Sequence, residues 1–215
     1  MTTGEITSDL LHGGVTTLEI AAGAWAVSAT VGLAFAMARD VGMLPVRLAA
    51  ASVTALLRST PQLILLYLVF FGLPSLGIDV GGLTAAIVVL GVADASFNAE
   101  YYRASLITVP RTQRDAGMSL GFSRLGTLAF VVLPQAMLYM VAPLLNSFLS
   151  LLKTATLASA IGVPEILYRG QNDMQLTGHV VAVIAVVIVL YGVACMPLIR
   201  FISVVERRAR ERLYT

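Results

Sequence analysis

Polar side chains recur at helical spacing inside two stretches that are otherwise strongly apolar. The first carries Asp94, Ser96, Asn98, Glu100 and Arg103. At about 100° per residue, Asp94, Asn98, Tyr101 and Ser105 share one face, and Ser96, Glu100 and Arg103 fall nearly opposite. The second carries Tyr139, Asn146, Ser150 and Lys153 on one face, with Thr154 beside it. Carboxylates, amides and hydroxyls held in an apolar medium can line a solute pathway, serve as ion sites, or glue helices together. Glu100 and Arg103 stand at i,i+3 and can pair on the helix itself. Bond-breaking chemistry has no comparable foothold. There is no Gly-x-x-x-x-Gly-Lys-Ser/Thr loop to cradle ATP phosphates, no nucleophile elbow and no histidine cluster at metal-ligand spacing. The single cysteine, Cys195, reads as a small buried hydrophobe. The chain is therefore not expected to be a catalyst or to bind a cofactor or metal of its own.

Composition says what kind of element must hold these residues. Of 215 residues, 58% are hydrophobic and 12% charged, with a mean hydropathy of +0.87. A soluble domain carries about a quarter charged residues, so this chain lacks the polar groups to cover a water-facing surface. An all-α integral membrane protein follows. Five stretches are long enough to span: about 14–38, 45–73, 83–107, 128–149 and 178–202. The second is broken at Arg58-Ser59-Thr60-Pro61 and reads as a lead-in helix followed by a span. The expectation is one transmembrane domain over 1–215, with a membrane core at 13–203, a cytoplasmic loop at 109–127 and a cytoplasmic tail at 204–215.

Orientation follows from where lysine and arginine fall. On a five-span reading, 12 of the 14 lie on one side, and only Lys153 and Arg169 on the other. The N-terminus is then outside and the C-terminus in the cytoplasm of a cell whose inner membrane the chain crosses. The leader is acidic (Glu5, Asp9) and its apolar run exceeds a signal-peptide core, so the first span reads as permanent. The arginine-rich tail, Arg207 to Arg212, reads as an anchor for anionic lipid head groups, not as a nucleic-acid site.

One loop departs from a plain connector. Asp115-Ala116-Gly117 is followed by three residues and Gly121, then nine residues and Val131, one more and Leu133-Pro134. A short helix over Asp115–Leu120 ended by Gly121 is expected there. This spacing resembles the cytoplasmic signature of ABC-importer permeases, Glu-Ala-Ala, three residues, Gly, nine residues, Ile, one residue, Leu-Pro. Asp115, Gly117 and Val131 are the departures, and glycine inside a helix costs about 1 kcal/mol against alanine. Three further runs resemble the polar amino-acid uptake permeases (histidine, glutamate, glutamine, arginine and opine types). They are Leu57-Arg58-Ser59-Thr60-Pro61 leading to Phe70-Phe71-Gly72-Leu73-Pro74, then Asn98-Ala99-Glu100-Tyr101-Tyr102-Arg103 with Val109-Pro110, then Leu151 to Ser159 with Ile161-Gly162-Val163-Pro164-Glu165.

The resemblance implies a type I ABC importer transmembrane domain that moves a polar amino acid or related zwitterion inward. It implies that Arg114, Asp115, Ala116, Gly117, Leu120 and Gly121 dock on a separate ATPase dimer, which carries the ATP and magnesium. It also implies a second permease chain, identical or homologous, and an extracytoplasmic substrate-binding protein, with lipids around the bundle and no nucleic acid. Asp94, Asn98, Glu100, Asn146, Ser150, Lys153 and Thr154 are then the candidate substrate pathway, although the same residues can equally glue helices. Thr154 stands where relatives often have aspartate, so no carboxylate meets a substrate amine at that position. The competing class is an ion-coupled secondary transporter or channel subunit, which would use Asp94 and Glu100 as ion sites but leaves the spaced loop without a purpose.

Overall fold

A computed structural model describes residues 3–211. Among them there is no strand. Helix α1 spans Thr3–Val41 and α2 Leu44–Ser59. After Pro61, α3 (Gln62–Tyr67) runs on through a π-helical turn, Leu68–Gly72, and a 3-10 turn, Leu73–Leu76. Helix α4 is Gly82–Thr108 and α5 Arg111–Ser119. Helix α6 (Arg124–Thr127) passes through a wide turn, Leu128–Val132, into α7, Leu133–Thr154. A 3-10 segment, Ala155–Ile161, leads to α8 (Ile166–Thr177) and then α9, Val180–Glu211. Four helical segments are long and apolar enough to cross a membrane, or up to five if the α2–α3 pair counts as one broken span. The expected tail is a continuation of α9 as far as Glu211, and residues 212–215, with Arg212, lie outside the described residues.

The chain forms two compact units. One comprises Met1–Val27, Thr60–Val92 and Phe148–Phe201, the other Ser28–Ser59, Ala93–Ser147 and Ile202–Thr215. In the first, Ile20, Leu66, Leu90 and Leu151 pack with a row of alanines, Ala24, Ala85, Ala86, Ala155 and Ala158. Small residues matter here because lipid tails are as apolar as leucine, so helices in a membrane gain from close backbone approach instead. Gly91 shows it: a Cβ there would lie 2.7 Å from the Ala24 carbonyl oxygen. In the second unit Ala36, Tyr102, Leu106, Leu128, Val132 and Met140 form the core. Gly32 packs there as tightly, with room for no Cβ beside Asn98 and Ala95.

A polar knot sits inside the first unit. Glu165 caps α8, its Oε1 accepting from the Tyr168 N–H at 2.8 Å. The side chain is fully buried. Thr17 accepts from the Ile166 N–H at 3.2 Å and lies 3.5 Å from Glu165 Oε2. Burial pushes the Glu165 carboxyl up to about 7, against the pull of its hydrogen bonds. Nearby, Arg169 pairs with Asp9, and burial with Asp9 beside it raises the Asp173 carboxyl. The folded Glu165 thus holds a proton that the unfolded chain releases near the ordinary glutamate value of 4.5. Its contribution to stability is full below that value, falls as pH rises toward about 7, and stays low above it. The difference is on the order of 3 kcal/mol. Glu165→Gln keeps the cap acceptor and has no charge to bury. Melting curves from pH 5 to pH 8 should show the variant gaining on the parent as pH rises, and parallel curves would refute this assignment.

Candidate functional site

The loop singled out by its spacing is a helix with both ends built. Pro110 precedes α5 with φ −55°, set by its ring, so the helix begins at Arg111. The expected start at Asp115 was four residues late, because Arg111-Thr112-Gln113-Arg114 carries no apolar periodicity. At the other end Gly121 takes φ +86°. Its N–H bonds the Met118 carbonyl at 3.0 Å, and the Phe122 N–H reaches back to Gly117 at 3.2 Å. That pair of bonds is a Schellman cap, as the glycine's position predicts.

Packing, more than charge, fixes this helix. Arg114 pairs with Asp40 at 3.2 Å and Gln135 donates to Gln113 at 3.3 Å. Pairs this exposed contribute only about 0.2–1 kcal/mol. Gly117, by contrast, is buried, and a Cβ on it would fall 2.7 Å from Thr127 Cγ2 and 3.3 Å from Val131 Cγ2. The family's alanine therefore does not fit at 117, and the glycine serves close approach. Gly117→Ala gains about 1 kcal/mol of helix propensity but forces an overlap that costs about 1–3 kcal/mol. Thr127 Oγ1 is buried with no hydrogen-bond partner among the described residues, so Thr127→Ala removes the obstacle at little cost. We expect Gly117→Ala to lower thermal stability and the double variant to recover it; a single variant as stable as the parent would refute the close-packing account. On its outer side the loop exposes Asp115, Ala116, Met118, Leu120 and Phe122, with Leu120 at 78%.

Glu100 is more than half of an i,i+3 pair. Arg103 reaches it at 3.3 Å, and Arg39 of α1 at 2.5 Å and Arg58 of α2 at 3.5 Å join on its other oxygen. One half-buried carboxylate thus ties three helices. Asp94 and Asn98 lie deeper. Ser28 and Ser147 donate to Asp94 Oδ2 at 2.6 and 2.5 Å, and Asn98 donates to Ser28 Oγ at 2.7 Å. Asn98 Oδ1 has no partner among the described residues. Ser96 and Ser105 are buried as well, which agrees with a helix polar on two sides, while Tyr101 on the expected Asp94 face is 38% exposed.

The candidates on α7 are placed differently. Asn146, Ser150 and Lys153 are exposed and Thr154 is half-buried. Asn146 donates to Glu206 at 3.4 Å. Thr154 Oγ1 donates to the Ser150 carbonyl at 2.9 Å, a bond within its own helix turn. Cys195 is half-buried, against the expected full burial, because α9 presents much of its apolar surface outward. Sequence reasoning missed Ser28, Arg39, Asp40 and Ser147 as partners. Arg39 and Asp40 did carry a signal, a charged pair at the end of an apolar run, but Ser28 and Ser147 look like any small residue in a span.

Residues 28–211 match the protein family described as the binding-protein-dependent transport system inner membrane component. The L-cystine transport system permease protein TcyB of Bacillus subtilis is 29% identical over 174 residues, covering 80% of this chain and 74% of that protein. The glutamine transport system permease protein GlnP of Escherichia coli is 28% identical over 203 residues, covering 94% and 93%. A crystal structure of an amino acid ABC transporter with histidines superposes with a TM-score of 0.87 at 26% identity, over 97% of this chain and 100% of that one. With its apolar helices and the built loop at 111–121, the chain belongs to the family of inner membrane components of binding-protein-dependent transport systems.

Proposed function

We propose that this permease moves a polar, zwitterionic amino acid or a close relative into the cytoplasm, driven by a separate ATPase dimer that docks on α5. The observation that carries the reading is the coupling helix, started after Pro110, capped at its C-terminus by Gly121, packed down through Gly117 and left with an apolar outer edge at Met118, Leu120 and Phe122. A packed knob with an exposed apolar edge suits a groove on a motor subunit. The ATP and magnesium then sit on that subunit. A second permease chain, identical or homologous, completes the pathway, and a substrate-binding protein delivers the solute from outside. The order of spans is supported by two ion pairs, since each joins residues expected on the same side, Asp9 with Arg169 and Asp40 with Arg114, and the lysine and arginine bias then favours the N-terminus outside.

The exposed stripe of Asn146, Ser150, Lys153 and Thr154 is the proposed pathway surface of α7. Asp94 and Asn98, bonded to Ser28 and Ser147, fit the role of internal glue. Relatives named for glutamine and L-cystine support a neutral zwitterion as substrate, and so does the hydroxyl at Thr154 in place of a carboxylate. The test is uptake into vesicles holding the permease, its ATPase and its binding protein, with ion gradients collapsed. ATP-dependent uptake is expected, and replacing Asp115 and Gly121 together should abolish it without loss of insertion. Uptake that needs no ATP but follows an imposed ion gradient overturns the reading in favour of an ion-coupled transporter. In the same assay Thr154→Asp should shift preference toward cationic amino acids by about tenfold, the worth of one charge-assisted hydrogen bond; an unchanged preference removes Thr154 from the pathway.

A further inference from the structure

The arginines around Glu100 outnumber the charge they share. Arg39, Arg58 and Arg103 all lie within 3.5 Å of that one carboxylate. Arg47, one turn into α2, has no carboxylate within pairing distance among the described residues. Four guanidinium groups and one carboxylate leave three positive charges at the edge of a bundle that lies in lipid. Three of these arginines, Arg39, Arg47 and Arg103, line one part of a cavity of about 180 Å³, whose other part is lined by Leu44, Leu48 and Ala51. The helix that supplies the apolar wall continues outward as an exposed apolar surface, with Leu44 at 66%, Leu48 at 59% and Leu56 at 67%.

We propose that this cavity is a specific site for an anionic phospholipid. The phosphate accepts from the guanidinium donors of Arg47, Arg39 and Arg103, and an acyl chain runs along Leu44 and Leu48 of α2. Both halves of the site are needed for that ligand. Arginine's planar fork matches phosphate oxygens in pairs. A free inorganic anion would leave the leucine wall uncovered, whereas a neutral lipid would leave the surplus charge unmatched. The site differs from a general attraction of basic segments to the membrane surface, because its charge converges from three helices onto one bounded cavity. The bound lipid would neutralise the excess that Glu100 leaves and so brace α1, α2 and α4 against one another.

The experiment measures lipid retention by the assembled transporter in native mass spectrometry, after exchange into a neutral detergent and addition of phosphatidylglycerol or phosphatidylcholine. Phosphatidylglycerol should be retained in preference to phosphatidylcholine and should raise the melting temperature. Arg47→Gln, which breaks no ion pair, should weaken retention about fivefold, the worth of one arginine at a charged lipid surface. Leu48→Asn should weaken it as well. Equal retention of the two lipids overturns the proposal, as does retention unaffected by Arg47→Gln. Millimolar inorganic phosphate that reproduces the thermal shift overturns it in favour of a simple anion site. If Arg47→Gln separates two permease chains while lipid retention stays unchanged, the surface belongs to a second copy and the proposal falls.

Discussion

Leu120→Arg should leave the permease folded and inserted while cutting its affinity for the ATPase by about 10- to 100-fold. Leu120 closes α5 through its backbone, donating to the Ala116 carbonyl at 3.1 Å, and its side chain is 78% exposed. The fold therefore does not depend on the isobutyl group. A partner groove does, because covering a leucine contributes about 1.5–3 kcal/mol, which converts to that range in dissociation constant. Arginine adds the cost of a charge taken into an apolar contact, so the loss should fall at the upper end. Leu120→Met, which keeps the volume, serves as the control. Co-purification with the ATPase and ATP-driven uptake in vesicles are the measurements, and unchanged values for both would remove the loop from the coupling role.

Glu100→Gln should markedly destabilise the second unit. The carboxylate is 29% exposed and Arg39 only 17%, so the pair is partly desolvated. Removing the acid leaves three guanidinium groups facing one another with no anion between them. Breaking a fully buried pair costs about 3–5 kcal/mol; with solvent reaching this cluster we expect about 2–4 kcal/mol. A second substitution separates charge from shape. Arg58 is the most distant of the three at 3.5 Å and the most exposed, so Glu100→Gln with Arg58→Gln should be less destabilised than the sum of the two. Thermal unfolding in detergent measures the cycle. A Glu100→Gln variant that melts with the parent would show the cluster to be screened and without structural effect.

The helices were legible because a bilayer demands long apolar runs, and α4 falls within one residue of its expected bounds at each end. The Schellman glycine was legible for a local reason, since Gly121 stands one residue past the last helical contact. Tertiary partnership was not legible. Glu100 was seen with Arg103, its neighbour on the same helix, while Arg39 lies 61 residues away in sequence. Likewise Asp94 stood out as a carboxylate at membrane depth, but its donors, Ser28 and Ser147, are 66 and 53 residues distant. In sequence Gly117 carries only a propensity penalty, because the threonine that leaves no space for a methyl group at that position becomes visible only when α6 is folded against it.

The three-arginine latch also bears on how the chain is made. Arg39 and Arg58 leave the ribosome well before their shared counter-ion, Arg39 by 61 residues. Until Glu100 emerges, Arg39 and Arg58 lack this carboxylate, and unneutralised positive charge at the end of an apolar run resists translocation. The third hydrophobic segment then brings the anion to them. On the orientation proposed above, the order of synthesis would let the same guanidinium groups hold those helix ends at the side of synthesis before they clasp Glu100.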